Sequence, residues 1–114
     1  MKQERKIIFY GIYFTEFYAG QSAKVQDKID FVFGIIAKIE RVPEKFLKHL
    51  TGTDGLYEMR IECNRNIFRV FCCFDKGNLV VLFNAFQKKS QQTPKQEIHL
   101  AEKLKKEYFS NKEI

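Results

Sequence analysis

The stretch Leu56–Phe86, LYEMRIECNRNIFRVFCCFDKGNLVVLFNAF, decides the fold. It begins with strict alternation: Tyr57, Met59, Ile61 and Cys63 fall on one side, Glu58, Arg60 and Glu62 on the other. That period of two belongs to a strand with one buried face. Asn64-Arg65-Asn66 reads as a hairpin tip, since Asn accepts the backbone that tight turns demand. Ile67 to Phe74 forms the next strand, nearly all apolar except Arg69. Asp75-Lys76-Gly77-Asn78 is a second tight turn, and Leu79 to Phe86 is so continuously apolar that it reads as a strand buried on both faces. Strands joined by such short turns form an antiparallel meander.

Beyond the meander toward the C-terminus, Thr93 suits an N-cap, Pro94 the first helical position and Gln96 the third, a capping-box pattern. Glu97 adds negative charge where the helix dipole favours it. Ile98, Ala101, Leu104 and Tyr108 make the apolar stripe of this helix, and residues 109–114 are expected to fray. Toward the N-terminus, Thr51 to Gly55 is a turn cluster, preceded by a short helix predicted from Pro43 through Leu50. Before it, apolar residues at Val25, Ile29, Val32, Ile36 and Ile39 mark one face of a longer helix, with Ser22 as its cap. Phe31, Phe33 and Ile35 widen that stripe, so the helix should be well covered. Phe17 to Gly20 reads as a loop and Ile7 to Phe14 as the first strand. The predicted order is β-α-α-β-β-β-α: one α+β domain over residues 1–114, a mainly antiparallel sheet with a helical hairpin and a C-terminal helix packed on it.

The chain has 114 residues and twelve Phe, enough for one substantial core. No run approaches the roughly 18 apolar residues of a membrane span. The opening MKQERKIIFYGIYF has a basic start and an apolar run but no small-residue cleavage site, and reads as a strand rather than a secretory signal. The three cysteines, Cys63, Cys72 and Cys73, are odd in number and form no CxxC; adjacent Cys72 and Cys73 point to opposite faces of their strand. They read as free thiols in a reducing cytoplasm, not as metal ligands. The net charge is +6, weighted toward residues 56–114, which carry eleven Lys/Arg against seven Asp/Glu. Such a domain favours polyanions or acidic partners.

Strong enzyme motifs are missing: there is no Gly-rich phosphate loop, HExxH or GxSxG. The two histidines, His49 and His99, both fall in predicted helices. Arg69 is the informative residue. A lone cation inside IFRVFCCF must either pair, with Glu58 or Glu62, or face a functional surface. A two-residue loop, Asn64-Arg65, would put Arg60 and Arg69 on one face, whereas a three-residue loop would point them apart. Facing arginines repel unless an anion lies between them, so the shared-face register implies an anion site. Lys88 and Lys89 follow the last strand, either as exposed surface or beside a phosphate held by Arg69. Gln87, Ser90, Gln91 and Gln92 could hydrogen-bond sugar or base edges. Tyr57, Phe86 and Tyr108 could stack bases or belong to the core.

Three segments together resemble a known family: TDGLYEMRI, then IFRVFCCFDKGNLVVLFNAFQKKSQQTPKQEI, then AEKLKKEYF. They are similar to the HigB-like, phage-derived branch of the RelE/ParE toxin superfamily, from about Lys24 to Phe109. The resemblance implies a small RelE-like fold and a cytoplasmic toxin encoded beside a helix-turn-helix, HigA-like antitoxin. Members of the cutting branch cleave mRNA, commonly on the ribosome, without metal or cofactor. The 2′-hydroxyl attacks the neighbouring phosphate, leaving a cyclic phosphate and a free 5′-hydroxyl. ParE relatives share the fold but poison DNA gyrase, so a non-cutting protein that only binds its antitoxin is the alternative.

By position, Arg69 matches the family's strand arginine, Arg60 the arginine of the preceding strand, and Lys88 and Lys89 its basic residues after the last strand. Family parity favours the two-residue loop. Glu58 stands where RelE carries lysine, so it reads as a general base or as a partner for Arg60. A RelE-type tyrosine early in the last helix has no match. The expected catalytic set is Arg69, Lys88, Lys89, Arg60 and Glu58, with Tyr57, Phe86, Gln87 and Gln91 contacting RNA.

Overall fold

The computed structural model describes residues 4–112. In chain order the elements are β1 (Lys6–Phe9), α1 (Tyr13–Ala19), α2 (Ala23–Lys38), β2 (Leu47–His49), β3 (Tyr57–Cys63), β4 (Asn66–Asp75), β5 (Leu79–Lys88) and α3 (Lys95–Lys112). The strands form one five-stranded sheet in the order β1-β5-β4-β3-β2. All neighbours are antiparallel except β1 and β5, which run parallel. This is the expected α+β architecture, with two helices after the first strand and a third at the C-terminal end.

The meander forms as its pattern predicts. The β3–β4 hairpin turns through Asn64 and Arg65 at φ 51° and 69°, so Cys63 pairs with Asn66 and the loop holds two residues. Paired positive φ angles match the twist of the flanking strands, which is why this turn class dominates tight hairpins. Gly77, at φ 70°, supplies the left-handed residue of the β4–β5 turn.

Two segments depart from the sequence expectations. The first strand ends at Phe9, not Phe14, because Gly11 at φ 76° redirects the chain into α1, where a loop was expected. Phe14, Phe17 and Tyr18 recur at helical spacing, and the Phe14 ring packs 5.3 Å from that of Phe33 on α2. The helical hairpin is therefore α1–α2. Residues Pro43 to Leu50 do not form a helix: the Phe46 and Leu47 N–H groups both donate to the Pro43 carbonyl, and the chain then extends as β2. The outer edge of β3 offers unpaired backbone groups there, and tertiary pairing overrides the local helix signal.

The sheet separates two cores. On one face α1 and α2 bury Phe14, Val25, Ile29, Val32 and Ile36 against Met59, Ile61, Phe68, Val70, Cys72, Val80 and Leu82. Ser22 caps α2 by accepting the Val25 N–H. Phe31 and Ile39, expected within the covered stripe, are instead exposed. On the opposite face α3 buries Ala101 and Leu104 against Leu56, Phe71, Cys73, Val81, Phe83 and Phe86. The first turn of α3 closes on the Pro94 carbonyl, which accepts from Glu97 and Ile98. Helix continues to Lys112; Glu113 and Ile114, within the stretch expected to fray, lie outside the described residues.

The C-terminal end of α3 is tied to the β4–β5 turn. Asp75 Oδ2 accepts from Tyr108 Oη at 2.7 Å and from Lys112 Nζ at 2.6 Å. These partners hold the Asp75 carboxyl down at about 2, and burial together with Asp75 pushes the Tyr108 phenol up to about 12.

Candidate anion-binding site

Arg60 and Arg69 are directly opposed on the β3–β4 ladder, on the face that carries α3. Opposed Cα atoms lie roughly 5 Å apart in such a pair, so the two cations require a shared anion. Glu58 supplies it. Its Oε1 lies 3.4 Å from Arg60 Nε and 3.8 Å from Arg69 Nε. Glu58 and Arg69 are 6% and 4% exposed, and Arg69 also donates from Nη1 to the Phe68 carbonyl at 3.1 Å. Burial pulls the Arg69 guanidinium below the ordinary arginine value; Glu58 opposes that shift and Arg60 reinforces it.

The trio is charge-balanced poorly and hydrogen-bonded worse. Glu58 Oε2, Arg60 Nε and Arg69 Nε are buried without a hydrogen-bond partner. Buried polar atoms are nearly always satisfied, and orphaned ones mark strain or a site awaiting a ligand. Within the trio one carboxylate meets two guanidiniums. Glu62, on the same face of β3, adds a second negative charge felt by Arg69, and Lys88 opposite Ile67 returns the balance to positive, which suits a phosphate oxygen.

A break in the β4–β5 register brings Lys88 to this face. Val70 pairs with Ala85 but Cys72 with Leu82, so β5 carries an extra residue between them. Such a bulge inverts the side-chain parity beyond it. In consequence Phe86 stands opposite Arg69, and Lys88 opposite Ile67, roughly 7 Å further along the strand. Lys88, Lys89, Ser90 and Gln91 line an open recess with Ile67. The face thus presents a buried Glu58–Arg60–Arg69 trio and, next to it, a lysine-bearing recess.

The remaining predicted contacts are distributed differently. Phe86 is buried and packs 5.4 Å from the Phe71 ring, within the α3-side core. Gln87 pairs with Phe68, on the α1–α2 face, and its Nε2 donates to Asn66 Oδ1 at 3.3 Å. Tyr57 is also on that face, edge-on to His49 and Phe74. His49 lies on β2, not in a helix, while His99 is on α3 as expected. Tyr108 is engaged by Asp75 at the other end of the sheet.

One buried polar residue of this region escaped the sequence reading. Asn84, 2% exposed, donates from Nδ2 to the Glu97 carbonyl and to Glu97 Oε1, both at 3.0 Å, while its Oδ1 is buried without a partner. It ties the first turn of α3 to the bulged strand. The signal was present: Asn84 is the lone amide in LVVLFNAF, as Arg69 is the lone cation in its strand.

Among the described residues, no group of three or more His, Cys, Asp or Glu is placed to hold a metal ion, and no helix is long and apolar enough to cross a membrane. The family model described as phage derived protein Gp49-like (DUF891) matches residues 16–106. No curated protein matches the chain.

Proposed function

Since the chain belongs to the phage-derived Gp49-like family, a RelE-like toxin family, we propose that it is the toxin of a type II toxin–antitoxin pair, a HigB-like mRNA endoribonuclease. The observation that carries this reading is the opposed Arg60–Arg69 pair, underserved by Glu58 and flanked by Lys88. Cleavage of RNA by its own 2′-hydroxyl needs little covalent chemistry from the protein. The 2′-oxygen attacks phosphorus and loses its proton; the bond to the 5′-oxygen breaks, and that oxygen takes up a proton. A cyclic phosphate and a 5′-hydroxyl result. The barrier lies in charge building on the phosphoryl oxygens, which preplaced cations stabilise more than they stabilise the ground state.

In this reading Arg69 and Arg60 hold the phosphoryl oxygens, and Lys88 and Lys89 neutralise the strand at the open end. Glu58, 6% exposed with its Oε2 enclosed, keeps the guanidiniums in place as their charge partner rather than meeting the 2′-hydroxyl. No metal enters the scheme. Its partners are mRNA, free or on the ribosome, and a HigA-like helix-turn-helix antitoxin, and it acts in the cytoplasm.

The burial of Arg69 against Glu58 also supports a second reading, a non-cutting protein that poisons gyrase or only binds its antitoxin. The test is induction of the chain without its partner, with mapping of new mRNA 5′ ends, beside Arg69→Ala. New 5′-hydroxyl ends that vanish in the variant are the expected result. Growth arrest with DNA-damage signalling and no new ends would overturn the endoribonuclease reading in favour of the second.

A further inference from the structure

Arg60 belongs to two places. Its guanidinium touches Glu58 inside the trio, yet its side chain is 30% exposed and, with Glu62, lines an open recess at the outer edge of β3. The opposite wall is Lys28 and Phe31 from α2, with Lys45 and Phe46 from the segment entering β2. The recess exists because β2 is short. It pairs with β3 only over Tyr57–Met59, followed by a last bond from the Arg60 N–H to the Phe46 carbonyl.

Two aromatic rings meet there, each attended by a cation. Phe31, 53% exposed, and Phe46 lie edge to face with centroids 6.2 Å apart. Lys28 Nζ lies 5.2 Å from the Phe31 centroid, and Lys45 Nζ 4.9 Å from that of Phe46. A single exposed phenylalanine needs no explanation. Paired rings interleaved with ammonium groups, opening onto a guanidinium cluster, are the parts of a single-strand groove. Ring faces stack bases without regard to sequence, and the cations follow the phosphates. Three cations, Lys28, Lys45 and Arg60, face one carboxylate, Glu62, so the local charge favours a polyanion.

We propose that this recess is a base-stacking subsite for single-stranded RNA, taking the nucleotide beside the phosphate at Arg60 and Arg69. The proposal rests on reading that pair as an RNA site. Arg60 is the shared residue, so a strand leaving the trio passes directly between Phe31 and the β3 edge. Glu62 at the rim directs the phosphates toward the lysine wall.

The test uses the full chain and a fluorescent single-stranded RNA carrying 2′-O-methyl groups, which cannot attack their own phosphates. Binding is followed by anisotropy over a range of salt. Phe31→Ala should weaken binding about tenfold, and Phe31→Tyr should restore it. Lys28→Gln combined with Lys45→Gln should lower the slope of log affinity against log salt by about one to two. Unchanged RNA affinity in Phe31→Ala overturns the subsite. So does a loss confined to an acidic peptide such as polyglutamate, which would mark the recess as a protein-docking surface. Cutting of unmodified RNA is scored in parallel. A wild type that binds but never cuts refutes the endoribonuclease reading alone; one that cuts, with Phe31→Ala binding and cutting equally well, refutes the subsite alone.

Discussion

Arg60 and Arg69 face each other across the β3–β4 ladder, and Glu58 Oε1 lies within 3.8 Å of a nitrogen on each. Both contacts are electrostatic, since neither Nε is hydrogen-bonded. A carboxylate held this way compensates charge without using up the directional capacity of the guanidiniums. Both Nε atoms are buried, so an incoming phosphate meets the outer guanidinium nitrogens, those of Arg60 first, whose side chain is 30% exposed.

Glu58→Gln should therefore destabilise the fold, because it removes the carboxylate that lies between two neighbouring cations and leaves them only the more distant Glu62. The expected loss is about 2–4 kcal/mol in urea unfolding, less than for a fully enclosed pair because Arg60 is partly solvated. Inorganic phosphate should raise the melting temperature of the variant more than that of the wild type. An equal response in both would show that the arginines do not share an anion site.

Lys88 and Lys89 should separate in RNA cutting. Lys88 lies in β5 on the Arg69 face, whereas Lys89 follows the strand and is exposed. Lys88→Ala is expected to slow cutting by roughly tenfold or more, and Lys89→Ala by about threefold or less, as a screened surface cation would. Single-turnover rates on one RNA measure the difference. The reverse order would place the scissile phosphate off this face.

The anchorage of α3 should depend on acid. Asp75 is held at about 2 against an ordinary 3.8, so its contribution is complete above about pH 4 and is lost as pH falls toward 2. Asp75→Asn should cost about 1–2 kcal/mol at neutral pH, discounted for the partial exposure of Lys112, and the gap to wild type should close through that window. Hydrogen exchange should show the loss in the last turns of α3. A gap that persists at pH 2 would rule out the charged pair as its source.

Much of this molecule was legible from local pattern. The alternation from Tyr57 to Cys63 assigned faces correctly, and the spacing from Val25 to Ile36 identified the buried stripe of α2. Adjacent Cys72 and Cys73 do enter opposite cores, where burial pushes both thiols up, Cys73 to about 11. Arg69 stood out because a lone cation in an apolar strand must be accounted for. Segments whose state depends on a partner strand were not legible. Pro43 to Leu50 carries a helix-start signal, yet an open sheet edge claimed it as β2. The aromatic run after Gly11 fits a strand or a helix equally well until its packing partner is known.

The sequence by itself determined which residues alternate, which helix face is apolar, and that a cation sits within a greasy strand, because these follow from periods of 2 and 3.6 along one chain. It left open whether Arg60 and Arg69 share a face, since one residue of loop length inverts the answer. Only the tertiary structure decided that register, through the left-handed pair Asn64 and Arg65, and the bulge that turns Lys88 toward Arg69. A bulge arises from how two strands meet, a relation between distant segments that neither strand encodes alone.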